Sequence, residues 1–278
     1  MDETLRRLQL TQLEMLKVFD RFCREHGLHY SLYAGTLLGA VRHQAFIPWD
    51  DDLDVCMPRA DYDRFIALWE QEPQRGYLLQ NKENSPMFTQ SFTKHRKDHT
   101  TFLQSEKEIG RYHTGIFIDI FPIDRIPNGK TARARFTWCC LLYQLLMREF
   151  APPKGNALIR IGSEVLLCCI PKHRREKARQ RLLKKLTQYN DLHGLETVAI
   201  ETAASVRMLL PTNLLDEYVD LPFENGKYMC FAEWDAVLRR KFGDYRQLPP
   251  EDDRVWKHHP ERIDFEHNIE ELTLEPGN

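Results

Sequence analysis

Long apolar segments, of the kind that form a transmembrane helix or the centre of a signal peptide, are what we do not find in the sequence. No run of 18 or more apolar residues occurs, which excludes a simple transmembrane helix. The first residues, Met1 to Thr4, include two acids and lead into no apolar segment of the kind that a signal peptide requires. We therefore expect a cytoplasmic protein, with peripheral contact at the inner face of the membrane as a further option.

An excess of positive charge is also missing. The chain has 39 Lys and Arg residues against 41 Asp and Glu residues, which gives a formal net charge of −2 at pH 7. This balance provides no electrostatic basis for binding the phosphate backbone of a nucleic acid. We find no internal repeat and no low-complexity segment. No nucleic-acid partner is expected.

Cysteines with the spacing of a metal or redox motif are absent as well. The seven cysteines are an odd number, and none of them forms a C-x-x-C pair. Small apolar residues in a reducing cytosol are the simplest interpretation. Palmitoylation or a redox function is the alternative. The spacing of His258, His259 and His267 fits no standard zinc site.

What the sequence does contain is typical of a folded, water-soluble chain. It has 278 residues, of which 42% are hydrophobic and 29% charged. This length is sufficient for one large domain or for a domain with a substantial helical addition.

The most informative feature is the segment from Ile47 to Val55, in which four carboxylates occupy five consecutive positions. Two carboxylates about 4 Å apart repel by roughly 4 kcal/mol at an effective dielectric constant near 20. A divalent cation converts this repulsion into a binding site, and oxygen-only ligands suit Mg²⁺ or Mn²⁺. The segment therefore predicts a metal site.

The order of acids and apolar residues in this segment predicts how the site is presented. Acids alternate with apolar residues from Asp52 to Val55, which is the period of a strand. Asp50, Asp52 and Asp54 then share one face of the strand. Asp51 points to the opposite face, so we leave it outside the metal set.

A glycine turn lies upstream of the acids. The alternation from Leu28 to Ala34 predicts a strand, which runs into Gly35-Thr36 and a short helix through Arg42. Glycine allows the backbone to approach a phosphate, and the helix N-terminus offers free N–H groups and a positive dipole. A plain strand-to-helix turn is the alternative interpretation.

The remaining pattern alternates helices with strands and predicts an α+β fold built on a mixed sheet. Asp119 lies in an apolar strand that we expect to stop at Pro122, and a buried acid there needs a partner. It is either a third site carboxylate or a hydrogen-bonded structural residue. The other predicted elements are helices from Asp2 (cap) to Gly27, Asp61 to Trp69, 131–150, 156–169, 172–190 and Trp234 to Phe242 (ended by Gly243), strands at Tyr77 to Gln80, Phe88 to His95 and Thr100 to Leu103, and a hairpin at Asn225-Gly226.

The glycine turn, the short helix and the acidic strand together resemble the nucleotidyltransferase superfold. More narrowly, residues 35–43 and 46–54 resemble the signature of the LicD family, which comprises bacterial phosphocholine transferases with fukutin and fukutin-related protein as distant relatives. The resemblance spans nearly the whole chain apart from the middle helices. It continues in Lys94-His95-Arg96, Thr101, Ile118 to Asp124, Phe223-Glu224, Phe242 to Tyr245, Leu248 to Pro250 and His258-His259.

The resemblance implies a fold, a reaction and a metal. It implies transfer of a phosphoalcohol, most often phosphocholine, from a CDP-alcohol such as CDP-choline to a sugar hydroxyl of a cell-surface glycan or its lipid-linked precursor, for example lipopolysaccharide or teichoic acid. Asp52 and Asp54 would hold Mg²⁺ (or Mn²⁺), with Asp50 beside them. Asp119 would complete the metal site or deprotonate the acceptor hydroxyl.

The expected substrate-binding residues come from the glycine turn and from three cations near the phosphates. Arg offers a bidentate fork and Lys a point charge. The alternative interpretation of the three cations is that they lie on a solvated face of the protein and bind no phosphate. The set is Gly35, Thr36, Gly39, Arg42, Lys94 and Arg96. Aromatic walls for a choline headgroup are conceivable at Tyr33, Trp49 and Trp234, but we make no firm choice among them.

The chain is expected to divide into three regions. Residues 1–128 form a nucleotidyltransferase-like catalytic core, 129–200 a helical region, and 201–278 a hairpin and helix that pack back on the core. In the helical region, the apolar segments Phe136 to Met147 and Leu158 to Ile170 are flanked by Arg and Lys. They are either core helices or an interfacial surface that meets a lipid-linked acceptor.

Two other functions compete with phosphocholine transfer. One is a nucleotidyltransferase that moves a nucleoside monophosphate onto a small hydroxylated substrate. The other is a glycan- or nucleotide-binding module with an inactive site. The presence of Asp52, Asp54 and Asp119 argues against the second, since an inactive site has no reason to retain repelling charges.

Overall fold

The computed structural model of the protein describes residues 2–148, 150, 157–201 and 208–274. The helices are α1 (Glu3–Glu25), α2 (Ala34–His43), α3 (Arg59–Gln71), α4 (Lys130–Arg148), α5 (Ala157–Cys169), α6 (Lys172–Thr187), α7 (Trp234–Phe242) and α8 (Ile269–Leu274). The strands are β1 (Ser31–Leu32), β2 (Asp54–Pro58), β3 (Tyr77–Gln80), β4 (Thr93–Lys97), β5 (Thr101–Leu103), β6 (Phe117–Ile126), β7 (Thr197–Ile200), β8 (Leu209–Pro211), β9 (Tyr218–Phe223), β10 (Gly226–Phe231) and β11 (Arg262–Asp264).

A mixed sheet of seven strands forms the centre of the fold, which confirms the predicted α+β class. Its main order is β1-β2-β6-β4-β3, in which β2 and β6 are parallel and the other pairs antiparallel. β7 pairs with the second half of β6, and β8 extends the sheet beyond β7. The ten-residue strand β6 is therefore the one to which β2, β4 and β7 all bind.

The prediction that this strand stops at Pro122 is wrong. β6 continues to Ile126, and it exchanges one antiparallel partner for another near the proline. Thr93 of β4 pairs with Ile120, whereas Ile200 of β7 pairs with Ile123. The missing N–H of proline falls between these two partners, where a central strand tolerates it.

Several other boundaries differ from the predicted ones. The acidic strand begins at Asp54, so the preceding acids lie in a loop. β1 is only two residues long, and β4 begins at Thr93 instead of Phe88. The hairpin is present, but its turn residues are Glu224-Asn225. The predicted helix positions 149 and 156 lie outside the described residues.

The predicted helix ends are confirmed where a capping residue marks them. The Asp2 carboxylate accepts the backbone N–H of Thr4 and caps α1, and Gly27 follows that helix with φ +60°. α7 ends at Gly243, which has φ +68°. A positive φ costs glycine little because it has no Cβ.

Helices cover one face of the sheet. On that face, the Tyr62 hydroxyl of α3 lies 2.6 Å from the Thr93 hydroxyl, and Arg59 donates two hydrogen bonds to Asp124. α4 and α6 contribute a separate apolar cluster that includes Phe136 and Leu186. Since side chains alternate along a strand, Asp119 lies on the opposite face from Asp124.

The predicted division into three regions stays a prediction, although β7 and β8 from residues 197–211 join the same sheet as the first region. Among the described residues, none of the helices combines the length and the apolar character needed to cross a bilayer.

Candidate active site

Acids from two neighbouring strands meet on one face of the sheet. Asp54 of β2 and Asp119 of β6 are partners in the parallel ladder, and both are buried. Ladder partners present their side chains on the same face. The backbone N–H of Asp119 donates to the carbonyl of Leu53 at 2.9 Å, which fixes this register at the start of β2. The structure thus brings together the two acids that the sequence places 65 positions apart.

The loop before β2 adds more negative charge. Oxygens of Asp50, Asp51 and Asp52 all lie within 4.8 Å of one another. Burial, followed by the nearby charge of Asp52, raises the pKa of Asp50 to about 8. Burial and neighbouring carboxylates also raise the pKa values of Asp52 and Asp54. No ion pair within the described part of the chain includes Asp50, Asp52 or Asp54.

Asp51 differs from its neighbours because its charge is satisfied within the protein. Its carboxylate accepts the backbone N–H of His258 at 2.9 Å and lies 3.1 Å from Nδ1 of the same residue. Burial alone would raise the pKa of Asp51, but these hydrogen bonds outweigh it and lower the pKa. Asp51 therefore attaches the C-terminal segment to the site, and both of its oxygens are engaged.

The chemistry of the predicted donors suits a hard divalent cation, whereas the three carboxylates with oxygens within 4.8 Å of one another are Asp50, Asp51 and Asp52. Asp50, Asp52, Asp54 and Asp119 offer only carboxylate oxygens, which are the ligands that Mg²⁺ and Mn²⁺ prefer. Three of these acids carry raised pKa values because burial and mutual repulsion disfavour their charged forms. A bound cation would remove both penalties, so the residues present are those that a metal would stabilise.

Lys94 is the cation closest to the paired acids. It opposes Asp119 in the antiparallel ladder between β4 and β6, and its Nζ lies 2.6 Å from an Asp119 oxygen. The same ammonium group lies 3.2 Å from the centre of the Phe117 ring. Burial lowers the pKa of Lys94, and the charge of Asp119 opposes this shift. A solvated strand face, the alternative interpretation of Lys94, is wrong.

Arg96 is buried on the same face of β4. Its guanidinium donates to the Gln80 side chain at 2.7 Å and to the Gly115 carbonyl at 2.6 Å. Burial lowers the pKa of Arg96 to about 10. The solvated alternative is therefore wrong for Arg96 as well. Its contact with a substrate stays a prediction.

Arg42 is held by the C-terminal segment. Its guanidinium donates to the carbonyls of Tyr245 and Gln247 at 3.0 and 3.3 Å. Partial burial, followed by the nearby charge of Arg254, lowers the pKa of Arg42. The contact predicted between Arg42 and the donor phosphates stays a prediction.

The glycine turn supports the acids directly. A Cβ atom at Gly35 would collide with the Asp50 carboxylate, and one at Gly39 would collide with the carbonyl of Ala45. The Thr36 hydroxyl accepts the backbone N–H of Asp54 at 2.8 Å. The structure therefore explains why glycine, threonine and glycine occupy these three positions. That they bind substrate stays a prediction.

Gly35 provides a test of this close approach. We expect Gly35→Ala to displace the Asp50 carboxylate and to lower kcat about 10- to 100-fold, since small misplacements of site groups are costly. Steady-state kinetics with purified protein would measure the change. Gly162→Ala is the control, because a Cβ at Gly162 meets no atom within 4 Å. Equal kinetics for the two variants would contradict the expectation.

Two buried glutamines of α1 support the acidic loop, and the sequence analysis missed them. The Gln9 amide donates to the carbonyls of Ile47 and Asp50, and the Gln12 amide donates to those of Asp51 and Phe117. The sequence does contain a signal for them, because both glutamines lie among the apolar positions of an amphipathic helix. Buried amides of this kind need polar partners.

A second group near the acids was also missed. Lys241 of α7 donates to the Tyr33 hydroxyl at 3.0 Å, and its Nζ lies 4.3 Å from the centre of that ring. Burial raises the pKa of Glu201 to about 7, with Lys241 opposing the shift and Asp119 adding to it. Glu201 has φ +54° at the end of β7. The sequence analysis named Tyr33 only as a conceivable wall for a choline headgroup, and it placed Lys241 in a helix without assigning it a function. The stretch that contains Glu201 was less readable.

The raised pKa values predict how stability depends on pH. Asp50 has a pKa of about 8 in the folded protein, against 3.8 for an unperturbed Asp. Between these values the folded state binds more protons than the unfolded state, so the free energy of unfolding falls as pH rises. In EDTA, we expect the melting temperature to decrease between about pH 5 and pH 8 and the slope to be smaller in Asp50→Asn. A rising melting temperature would contradict this.

Comparison with known proteins gives the site a family context. The family model described as the LicD/FKTN/FKRP nucleotidyltransferase domain matches residues 27–143. The chain is also 28% identical over 267 residues to the lipopolysaccharide cholinephosphotransferase LicD of Haemophilus influenzae, covering 92% of this chain and 96% of that protein.

Residues 27–143, less than half of the chain, match the LicD family domain, and the similarity to the Haemophilus influenzae protein runs over nearly the whole chain. The residues matched by the LicD family model contain the glycine turn, the acidic loop, Lys94, Arg96 and Asp119. His258 and Lys241 lie beyond that range. The local likeness extends to two uncharacterized proteins. One from Rickettsia typhi is 35% identical over 74 residues (27% of this chain, 24% of that protein), and one from Rickettsia prowazekii is 37% identical over 70 residues (25% and 26%).

Proposed function

We propose that this protein is a LicD-family enzyme that transfers phosphocholine from CDP-choline to a sugar hydroxyl of a cell-surface glycan or its lipid-linked precursor, with Mg²⁺ or Mn²⁺ in the carboxylate site. The observation that carries the proposal is the register between β2 and β6, which places Asp54 beside Asp119. The name of the Haemophilus influenzae relative supports phosphocholine as the group transferred and lipopolysaccharide as the kind of acceptor.

In the proposed reaction, the acceptor oxygen attacks the phosphorus that carries choline. The bond from this phosphorus to the CMP oxygen breaks, and the electron pair leaves with CMP. When bound, the divalent cation would neutralise charge on the donor's diphosphate and on the departing CMP. Asp52 and Asp54, with Asp50 beside them, would hold that cation.

The buried pair of Asp119 and Lys94 is assigned to the acceptor side of the reaction. Asp119 would take the proton from the acceptor hydroxyl as the new phosphorus–oxygen bond forms. The Lys94 ammonium group, whose Nζ lies 2.6 Å from an Asp119 oxygen, positions this carboxylate. Asp119 is therefore available as a base or as a further metal ligand.

A labelled donor tests the proposal against nucleotide transfer. We expect CDP-choline labelled in its choline methyl groups to pass the label to a glycan acceptor while unlabelled CMP is released. EDTA should stop the reaction, and added Mg²⁺ or Mn²⁺ should restore it. If the CMP half becomes attached to the acceptor, the protein is a nucleotidyltransferase and the proposal is wrong. A panel with CDP-ethanolamine, CDP-glycerol and CDP-ribitol identifies the preferred alcohol.

A further inference from the structure

Helix α5 is apolar, yet it is exposed instead of forming core. Its sequence contains only two charged residues, Arg160 and Glu164. Three of its large apolar side chains are mostly exposed: Leu158 at 79%, Ile161 at 58% and Val165 at 55%. The interpretation of this segment as a core helix is therefore wrong.

Helix α4 extends the same apolar surface. One face of α4 is core, since Phe136, Tyr143 and Met147 are buried against the sheet side. The other face exposes Trp138 and Leu141 at 56% and 54%. Between α4 and α5 lies a groove of about 440 Å³ lined largely by apolar side chains. A contiguous apolar patch on a soluble protein marks an interaction surface.

The rim of this surface is positively charged. Arg148 lines the groove, and Arg160 is exposed on α5. The Arg175 guanidinium donates to the carbonyls of Leu167 and Ile170, which fixes the start of α6 against the end of α5. α6 contains eight Lys or Arg residues and a single Glu, although the whole chain has a net charge of −2. Six of these basic side chains are exposed, whereas Arg179 is buried and pairs with Glu83 and Glu176. Lys172 and Arg174 lie in the first turn of α6, so positive charge lies next to the end of α5.

We infer that the face formed by α4 and α5 binds the surface of an anionic lipid bilayer. Apolar side chains backed by a basic rim match the two parts of such a surface, the acyl boundary and the anionic headgroups. A second copy of the chain is a poorer occupant. In a two-fold interface the same patch meets itself, so the two basic rims would face each other.

Binding to a bilayer would bring the site to a lipid-linked acceptor. Only this purpose of the surface rests on the proposed function. Vesicle binding is measured without donor or acceptor. We expect the protein to sediment with vesicles of phosphatidylcholine and phosphatidylglycerol and to remain in solution with phosphatidylcholine alone. In the anionic vesicles, bromine-labelled acyl chains should quench Trp fluorescence, and Trp138→Phe should reduce this quenching.

Substitutions on the apolar face test the surface directly. We expect Ile161→Glu with Val165→Glu to lower the affinity for anionic vesicles at least about tenfold. Both side chains are exposed, so the melting temperature should not change. Leu10→Glu, on the exposed side of α1 at 44%, is the control and should bind as the wild type does.

Substitutions on the rim test the electrostatic part. Lys172→Gln with Arg174→Gln should weaken binding to anionic vesicles about 25-fold, since each basic residue near the surface contributes a factor of about five. Lys17→Gln with Arg21→Gln removes two exposed charges from α1 and should leave binding unchanged.

Three results would overturn the inference. One is a wild-type protein that stays in solution with anionic vesicles. Another is equal binding by the α5 variant. The third is a wild-type dimer, seen by analytical ultracentrifugation, that the α5 variant cannot form, since a second copy would then be the occupant. Transfer of phosphocholine from CDP-choline to a soluble glycan acceptor, with release of CMP, should be the same in all these variants. Failure of that reaction with vesicle binding retained would instead contradict the proposed function.

Discussion

Replacing Asp54 with Asn is expected to reduce phosphocholine transfer by about 10³-fold or more, since loss of one electrostatic contact of this kind alone costs about 10²–10³. The metal-free variant should melt at the same temperature as the wild type or higher. Asp54 is buried among other carboxylates, and burial and this repulsion raise its pKa, so its charge destabilises the metal-free fold. The backbone N–H that binds Thr36 remains in the variant.

The measurements are turnover of CDP-choline and thermal melting with and without Mg²⁺ or Mn²⁺. Asp52→Asn should behave in the same way. In the wild type the metal should raise the melting temperature, and in Asp54→Asn this increase should be lost. Asp220→Asn, on the exposed hairpin, is the matched control and should retain both turnover and the metal effect. A metal-free Asp54 variant that melts far below the wild type would mean that this acid serves the fold.

The local part of the site could be predicted from the sequence because it depends on short-range patterns. Acids between apolar residues indicated strand positions at Asp54 and Asp119, and the glycine turn indicated a strand followed by a helix. The register between these two strands could not be predicted from local patterns. Which residue of β6 lies beside Asp54 is decided by pairing across 65 positions of sequence, and a shift by one residue would reverse the face of Asp119.

The acidic loop could not be predicted from local patterns, because distant residues hold it. The sequence predicted a strand from Asp52, yet the Asp51 carboxylate binds the backbone N–H of His258 near the C-terminus. The backbone carbonyls of Asp50 and Asp51 accept hydrogen bonds from two side-chain amides of α1. Those partners replace the ladder hydrogen bonds that a strand would need. Only the tertiary structure brings them to the loop.

Helix α5 shows a second limit of sequence patterns. Its apolar composition predicted a helix correctly, but the same composition fits a buried helix and an exposed one. Burial depends on whether another element covers the helix. The described residues cover α4 on one face and leave most of α5 exposed.

The largest loss of stability is expected from Lys94→Met. Lys94 and Asp119 form a buried pair at 2.6 Å, and their side chains are only 10% and 11% exposed. Removing one member of such a pair typically costs about 3–5 kcal/mol, because the other charge is left buried without a partner. The cost should be at the upper end here, since Asp119 would then lie beside Asp54 with no cation between them. Urea unfolding in EDTA would measure it.

The same variant separates the contribution of the lysine from that of the metal. If the carboxylates bind a cation, Mg²⁺ should restore part of the stability lost in Lys94→Met, because it would compensate Asp119. The double variant Lys94→Met with Asp119→Leu should also be more stable than the single variant. Lys97→Met is the control on the same strand, since its pair with Glu14 is exposed and should be worth about 1 kcal/mol or less. Equal losses in Lys94→Met and Lys97→Met would show that Asp119 does not depend on Lys94 for its charge, and the assignment of this pair to the acceptor side of the site would fail.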